Sequence, residues 1–334
     1  MKLKWGVLGV AKIAIDQVIP AIQQSKFCDL VAIASRNGEK ATKAARQFNI
    51  AKSYDSYQAL LDDNDIDVVY IPLPNHLHFP WIEKCLMAGK HVLCEKPLAL
   101  NVKEVKRLIK LRDKTQLKVS EAFMVKSHPQ WVKVKSLIDA GEIGTLKSVN
   151  GFFSYNLTDM TNVRYVADWG GGGLYDVGCY PLFTTRYIFQ ECPTRVIAAI
   201  RFDEDTQVDV LTSAIIDFPK GQLTFTSAMQ LVPCQVMHFY GTNKRIELKL
   251  PFNPLHDLAA VIEIHNEDIY NAEPEKIYLD TCNQYSLMCD DVSLAIMNDR
   301  EVPVPLEDSL INMTILEALL HSAKIGTWVE PDYS

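Results

Sequence analysis

KWGVLGVAKIA, residues 4–14, runs a short apolar segment into a glycine and then into small and apolar residues. Lys4–Leu8 has the composition of a buried strand, and Gly9 stands where such a strand turns into a helix. The same beat repeats downstream. Leu30–Ala34, Val68–Ile71, His91–Cys94 and Lys118–Ala122 read as strands, with a weaker one at Lys52–Tyr54. Between them, Gly38–Phe48, Ser56–Asp62, Phe79–Ala88 and Val102–Lys114 have helical spacing, and Asn101 is placed to cap the last. Such alternation requires crossover connections, so it predicts a parallel sheet covered on both faces. Six strands fit a doubly wound α/β arrangement, with strand 1 beside strand 4 and strand 4 beside strand 5. Pro20 is expected to break the helix after Gly9 into two pieces.

After about residue 123 the pattern changes. Pro129–Ala140 is helical, and then strand-like stretches follow one another: Lys147–Tyr155, Thr194–Phe202, Val208–Phe218, Gln222–Met229 and Gln235–Tyr240. Two helices come late, at Gln284–Asn298 and Leu306–Lys324. Successive strands without intervening helices predict an α+β domain with an open, mainly antiparallel sheet. The expected division is therefore residues 1–123, doubly wound, and 124–334, α+β.

Bulk properties narrow the function classes. A chain of 334 residues is long for one hydrophobic core, which supports two domains. A net charge of −7 speaks against nucleic acid, whose phosphates need a basic face. No apolar run is long enough to span a bilayer, and the start, MKLKWGVLGV, leads straight into a strand without a cleavage site. The eight cysteines form no CxxC pair, so neither a zinc site nor a disulfide framework is expected, and a reduced cytoplasmic compartment is.

In open α/β sheets, ligands sit outside the carboxyl ends of the strands. GVAKIA, residues 9–14, matches the dinucleotide fingerprint at Gly9, with Ala11 and Ala14 in place of its other two glycines. Ala14 affects only packing, whereas the Ala11 methyl stands where the backbone approaches the pyrophosphate; the alternative is a plain strand–turn–helix. Gly9, Ala11, Lys12 and Ile13 are the expected contacts there. An acid after strand 2 would bind the ribose hydroxyls of NAD, but the chain reads ASRNGEK at 34–40. Ser35 and Arg36 can instead meet a 2′-phosphate, which points to NADP with NAD possible, unless Arg36 is an exposed loop arginine. PLPNHLH (72–78) supplies Pro74, Asn75 and His76, and CEKP (94–97) supplies Glu95 and Lys96. With the predicted strand order, Lys96 points towards the nicotinamide end. Asn75 contacts the ligand or caps a helix. His76 and His78 form an HxH pair, but no third ligand stands at a diagnostic spacing, so no metal is expected.

In the second domain, DWGGGGLYDVGCYPLF (168–183) places four glycines before a helix. Such a run lets backbone pass close to a ligand or another chain. Asp176 and Tyr180, four apart, share a helical face, and Pro181 fits only if that helix starts late or kinks. The bland reading makes Asp176 a cap and Tyr180 a core residue.

GVLGVAKIA, CEKP and GGGLYDVGCY, at these intervals, resemble the Gfo/Idh/MocA oxidoreductases over essentially the whole chain. EKP combined with DxGxY is the specific part; the glycine loop is not. Most relatives end the second motif in histidine, and Tyr180 resembles the branch containing dimeric dihydrodiol dehydrogenase, NADP-dependent D-xylose dehydrogenase and glucose–fructose oxidoreductase. The resemblance implies an N-terminal Rossmann domain and a C-terminal sheet that makes a homodimer or homotetramer. It implies hydride transfer between NADP and a polyhydroxylated ring, an aldopyranose or trans-dihydrodiol. Tyr180 would then be the general acid–base, Lys96 its electrostatic partner, and Asp176 would hold a substrate hydroxyl or orient Lys96. Arg164, Asp168 and Trp169 would line the sugar side. Two alternatives stand beside this: an aldose–aldose oxidoreductase with tightly held NADP, and a non-catalytic NADP sensor.

Overall fold

The computed structural model describes residues 2–268 and 273–334. Six strands come first: β1 (Leu3–Leu8), β2 (Cys28–Ala34), β3 (Lys52–Tyr54), β4 (Val68–Ile71), β5 (His91–Cys94) and β6 (Val119–Glu121). They pair in parallel in the order β3-β2-β1-β4-β5-β6, so the predicted adjacencies of the first, fourth and fifth strands hold. Helices α1 (Ile19–Gln24), α2 (Gly38–Gln47), α3 (Tyr57–Leu61), α4 (His78–Met87) and α5 (Val102–Thr115) make the crossovers. Three of them start on side-chain caps: Asn37 accepts from Lys40 N, Ser56 from Ala59 N and Asn101 from Glu104 N. Before α1, Ala14–Val18 forms a π-helical turn, and Pro20 lies in the first turn of the α-helical piece that follows. There its missing N–H leaves no α-helical bond broken.

The rest of the chain adds α6 (Pro129–Asp139), β7 (Leu146–Asn156), α7 (Cys179–Phe189), β8 (Arg195–Phe202), β9 (Asp209–Asp217), β10 (Gln222–Ala228) and β11 (Gln230–Gly241). These are followed by β12 (Arg245–Leu248), β13 (Val261–His265), β14 (Glu275–Tyr278), α8 (Gln284–Met297) and α9 (Leu306–Ile325). Eight strands build the second sheet in the order β14-β13-β12-β11-β7-β10-β9-β8. All its pairings are antiparallel except β7 with β10, so the sheet is mixed but mainly antiparallel. One face is apolar: Phe153, Phe225, Met237 and Phe239 are buried there, and Trp131 of α6 meets Phe239 edge-on. Gly151 makes room for α7, since a Cβ there would come within 3.0 Å of the Pro181 ring.

The chain falls into two compact units that do not follow the linear division at residue 123. One holds the chain up to Ser127 together with Asn283–Leu310; the other holds His128–Cys282 and Ile311–Ser334. The returning segment carries α8 onto the parallel sheet. Trp5 donates from Nε1 to Ser293 Oγ at 3.2 Å, whereas a side chain at the next position, Gly6, would run into Leu60 of α3. Neighbouring residues of a strand face opposite ways, so α8 covers one face of the sheet and α3 the other. The late helix is thus part of the doubly wound layer structure.

Candidate functional site

In the first unit the predicted residues gather along the carboxyl edge of the parallel sheet. Gly9 is buried, donates to Ala34 O at 2.7 Å and has φ +114, a conformation that L side chains rarely adopt. Ala11 is not among the positive-φ positions, so its methyl causes no backbone strain. Lys12 is exposed beside it, and Ile13 is half-buried. After β2, the buried Ser35 accepts Asn37 N–H at its Oγ, 3.2 Å away, leaving Arg36 exposed. Arg36 is not an isolated loop arginine. Its guanidinium interacts with the Tyr57 hydroxyl, opposing the upward pull of burial on that phenol, and burial, with the Arg36 charge adding to it, holds His76 below the usual imidazole range. Tyr57, packed edge-on against Trp81 with centroids 5.0 Å apart, was not found by sequence reasoning. A single tyrosine inside a short helix gives no motif to read.

Pro74, Asn75 and His76 follow β4, and Asn75 begins a 3₁₀ turn, Asn75–Leu77, whose N-cap is Pro74. His76 and His78 do not converge as metal ligands, because both ring nitrogens of His78 face carbonyl oxygens. The turn after β5 is held from several sides. Glu95 N donates to Ile71 O at 3.1 Å and the Tyr70 hydroxyl donates to Glu95 Oε1 at 2.7 Å. The Lys96–Pro97 peptide is cis, and Leu98 N donates to Glu121 Oε1 at 2.9 Å. Burial raises the Glu121 carboxyl to about 7, against the opposing pull of Ser309, the Leu98 N–H and the Lys96 charge. Lys96 therefore sits on a turn anchored by buried polar groups, whereas an ordinary surface lysine sits on a loop free to move.

The second unit brings Arg164, Asp176 and a further residue, Tyr155, together. Arg164 Nε lies 2.6 Å and the Tyr155 hydroxyl 2.5 Å from the same oxygen, Asp176 Oδ2. The Asp176 charge holds the Arg164 guanidinium above its usual range, and burial, with Asp176 close by, pushes the Tyr155 phenol up. Tyr180 is buried against Phe153 and Phe252, with ring centroids 5.6 and 5.4 Å away. Asp176 lies in a π-helical turn, Leu174–Gly178, that leads into α7 at Cys179, so Pro181 falls in the first turn of the regular helix, as Pro20 does. π turns of this kind concentrate at functional sites. Asp168 and Trp169 occupy an exposed 3₁₀ turn, Ala167–Trp169, just before the glycine run.

The glycine run is approached by the chain itself. A Cβ at Gly171 would overlap Arg164 O, and one at Gly172, where φ is +113, would overlap the Asp209 carboxylate. Asp209 is buried and accepts Leu174 N–H at 2.5 Å, so it anchors the start of the helical segment that carries Asp176 and Tyr180. Burial raises its carboxyl to about 7, with the Leu174 N–H and Thr212 hydroxyl pulling the other way. On the second sheet, Glu247, Glu263 and His265 lie close enough to share a cation. Arg245 already meets Glu247 at 3.0 Å and Lys249 meets Glu263 at 2.8 Å, so cationic side chains balance these carboxylates. No helix among the described residues is long and apolar enough to cross a membrane.

Known proteins agree with this architecture. Residues 3–123 match the model of the oxidoreductase family with an NAD-binding Rossmann fold, GFO_IDH_MocA, and residues 131–247 match the GFO/IDH/MocA C-terminal domain. An oxidoreductase of Rhizobium meliloti is 41% identical over 328 residues, 98% of either chain. D-xylose 1-dehydrogenase (NADP(+)) 2 of Haloferax volcanii is 32% identical, covering 99% of this chain and 100% of its own. The crystal structure of a 3-ketoreductase from Actinomadura kijaniata in complex with NADP and TDP-benzene superimposes with a TM-score of 0.89 at 30% identity, over 96% of this chain and 98% of that one. The sequence, the parallel sheet with its Gly9 turn and the mixed second sheet lead to one assignment: the chain belongs to the Gfo/Idh/MocA oxidoreductase family.

Proposed function

We propose that this chain is an NADP-dependent dehydrogenase that moves hydride between the nicotinamide and a polyhydroxylated ring, an aldopyranose or a trans-dihydrodiol. The observation that carries the cofactor choice is the end of β2. Ser35-Arg36-Asn37 offers a hydroxyl and a guanidinium where an acid would repel a 2′-phosphate, and Arg36 is steadied by Tyr57. Gly9, Ala11, Lys12 and Ile13 would take the pyrophosphate at the first turn, with Pro74, Asn75, His76 and Glu95 along the remaining edge. When bound, NADP supplies the hydride acceptor or donor at C4 of its nicotinamide.

The chain's own residues handle the proton. Oxidising a secondary alcohol or hemiacetal requires the hydroxyl proton to leave as hydride leaves carbon. Tyr180 is the group that takes it, and returns it in the reducing direction. A free phenol has a pKa of about 10, too high for a base at neutral pH, and an ammonium beside it, the role proposed for Lys96, would favour the phenolate. Asp176, charged and tied to Arg164 and Tyr155, accepts a hydrogen bond from a substrate hydroxyl and fixes the ring. Arg164, Asp168 and Trp169 line the sugar side. A polyol suits this second-unit cluster, because the Arg164 charge is balanced by Asp176, so the pair presents little net charge to a substrate.

The open face of the second sheet, which carries Ser213, Ile215, Thr224, Thr226, His238 and Tyr240, is where a second copy of the chain would pack to give a homodimer or homotetramer. Eight free thiols, five of them buried, suit a reducing cytoplasm. The test of the function is dihydronicotinamide absorbance from purified protein, NADP⁺ and a panel of aldopyranoses, inositols and trans-dihydrodiols. Absorbance growing with one substrate class supports the reading and identifies the class. Silence across the panel, with NADPH bound tightly, would replace it with a non-catalytic NADP sensor.

A further inference from the structure

His78 opens α4 with no exposed surface, and both of its ring nitrogens face main-chain oxygens. Nδ1 lies 2.7 Å from Pro97 O and Nε2 lies 2.6 Å from Leu73 O. The two acceptors belong to different turns at the carboxyl edge of the parallel sheet. Leu73 leads into Pro74–His76 after β4, and Pro97 follows Lys96 after β5. A neutral imidazole has a single N–H, and its other nitrogen presents only a lone pair. Only one of the two contacts is therefore a hydrogen bond at any moment. The other sets lone pair against lone pair and is relieved when that carbonyl draws back.

The geometry points to His78 as a positioning residue whose one ring proton is shared between the two turns. With the proton on Nδ1, the ring holds Pro97 O and fixes the turn bearing Lys96; with the proton on Nε2, it holds Leu73 O and fixes the segment bearing Asn75 and His76. A doubly protonated ring would satisfy both acceptors at once, and the two carbonyls favour it, but the ring has no exposed surface, and burial outweighs them with the Lys96 charge and His76 adding to it, so that the pKa falls to about 4. Anything that binds across both turns, as the proposed NADP would, favours the tautomer whose bond supports its contacts, because a ligand shifts an equilibrium by its differential affinity for the two states. The ligand part of this inference rests on the proposed function; the sharing of the proton does not.

The experiment is nitrogen-15 NMR of the histidine rings in the full-length chain at neutral pH, without and with saturating NADPH. The His78 signals are assigned by their loss in His78→Gln, or in His78→Asn should the first variant fail to fold. NADPH binding is measured separately, by the change in its fluorescence. The expected result is one protonated nitrogen per ring, averaged over two tautomers, with a population that changes on adding NADPH. A ring protonated on both nitrogens would overturn the proposal, and so would a single tautomer that NADPH leaves unmoved. If NADPH does not bind, the cofactor reading fails, and the ligand-free spectrum still decides the proton's place: two tautomers sustain the sharing and one refutes it.

Discussion

Replacing Gly172 by alanine should damage the second unit far more than the same change one residue later. Gly172 has φ +113, in a region that only glycine occupies readily, and forcing alanine there costs about 1–3 kcal/mol. The new Cβ would also overlap the Asp209 carboxylate, which must swing aside and give up the Leu174 N–H it accepts at 2.5 Å. A hydrogen bond to a charged group contributes about 1.5–3 kcal/mol. The sum, about 2.5–6 kcal/mol, is a large share of the ~5–15 kcal/mol that stabilises a typical domain. Gly173→Ala is the control. Its nearest neighbour would be Asp209 O at 3.5 Å, an ordinary contact, and its φ of −71 is helical. Alanine there should change stability by less than about 1 kcal/mol. Urea unfolding followed by tryptophan fluorescence separates the two variants. The Gly172 variant should unfold at markedly lower urea, while both keep NADPH affinity, since the residues proposed to bind it belong to the other unit. Equal stability of the two variants, or a Gly173 variant as weak as the Gly172 one, would refute this account of the glycine run.

Three further outcomes are expected. Arg36→Ala should weaken NADPH binding by one to two orders of magnitude, the ~1.5–3 kcal/mol of a charge-assisted bond, and leave NADH nearly untouched; a matched loss in fluorescence titrations would remove the 2′-phosphate assignment. Tyr180→Phe should lower turnover by roughly 10²–10⁴-fold while NADPH affinity and the ring contacts with Phe153 and Phe252 persist, and loss of cofactor binding in parallel would make the residue structural. Asp209 has a carboxyl raised from 3.8 to about 7 in the fold, so its stabilising contribution is complete below the unfolded pKa and is lost as pH rises through about 7. Relative to wild type, Asp209→Asn should therefore gain on the order of 4 kcal/mol between acid and mildly alkaline pH, and parallel stability–pH curves for the two proteins would contradict the shift.

The parallel sheet was legible because each of its strands is one short apolar run between helical stretches. Val68–Ile71 and His91–Cys94 were read to the residue. β12, β13 and β14 were missed for the converse reason. They are only four or five residues long, each a fragment too short for a period of two to stand out, even though Pro251 and Asn253-Pro254 mark the loop between β12 and β13. The return of Asn283–Leu310 to the first unit was not legible either. It depends on contacts such as Trp5 to Ser293, between residues nearly a whole chain apart, and local periodicity carries no record of them. What α8 does display, an apolar helix, fits either unit equally well.

The candidate site divides along a similar line. Residue types at strand ends could be read, because a parallel sheet puts chemistry at its carboxyl edge whatever the details. The groups that hold those residues could not. Tyr57, Tyr155, Glu121 and Asp209 stand in no motif, and an acid in a sequence looks like surface until the fold buries it. In the structure the buried carboxylates are matched to main-chain N–H groups: Glu121 to Leu98 beyond the Lys96 turn, and Asp209 to Leu174 ahead of Asp176 and Tyr180. The glycine run shows how the inference slipped. Close approach was read correctly from four glycines, but the neighbour at Gly171 and Gly172 is the chain's own Arg164 carbonyl and Asp209 carboxylate. A run of small residues beside a motif thus marks where backbone must come close, and only the partner's identity tells whether the closeness serves binding or serves the rigidity that binding needs. Here it serves rigidity, in the segment whose carboxylate and phenol are proposed to face the substrate.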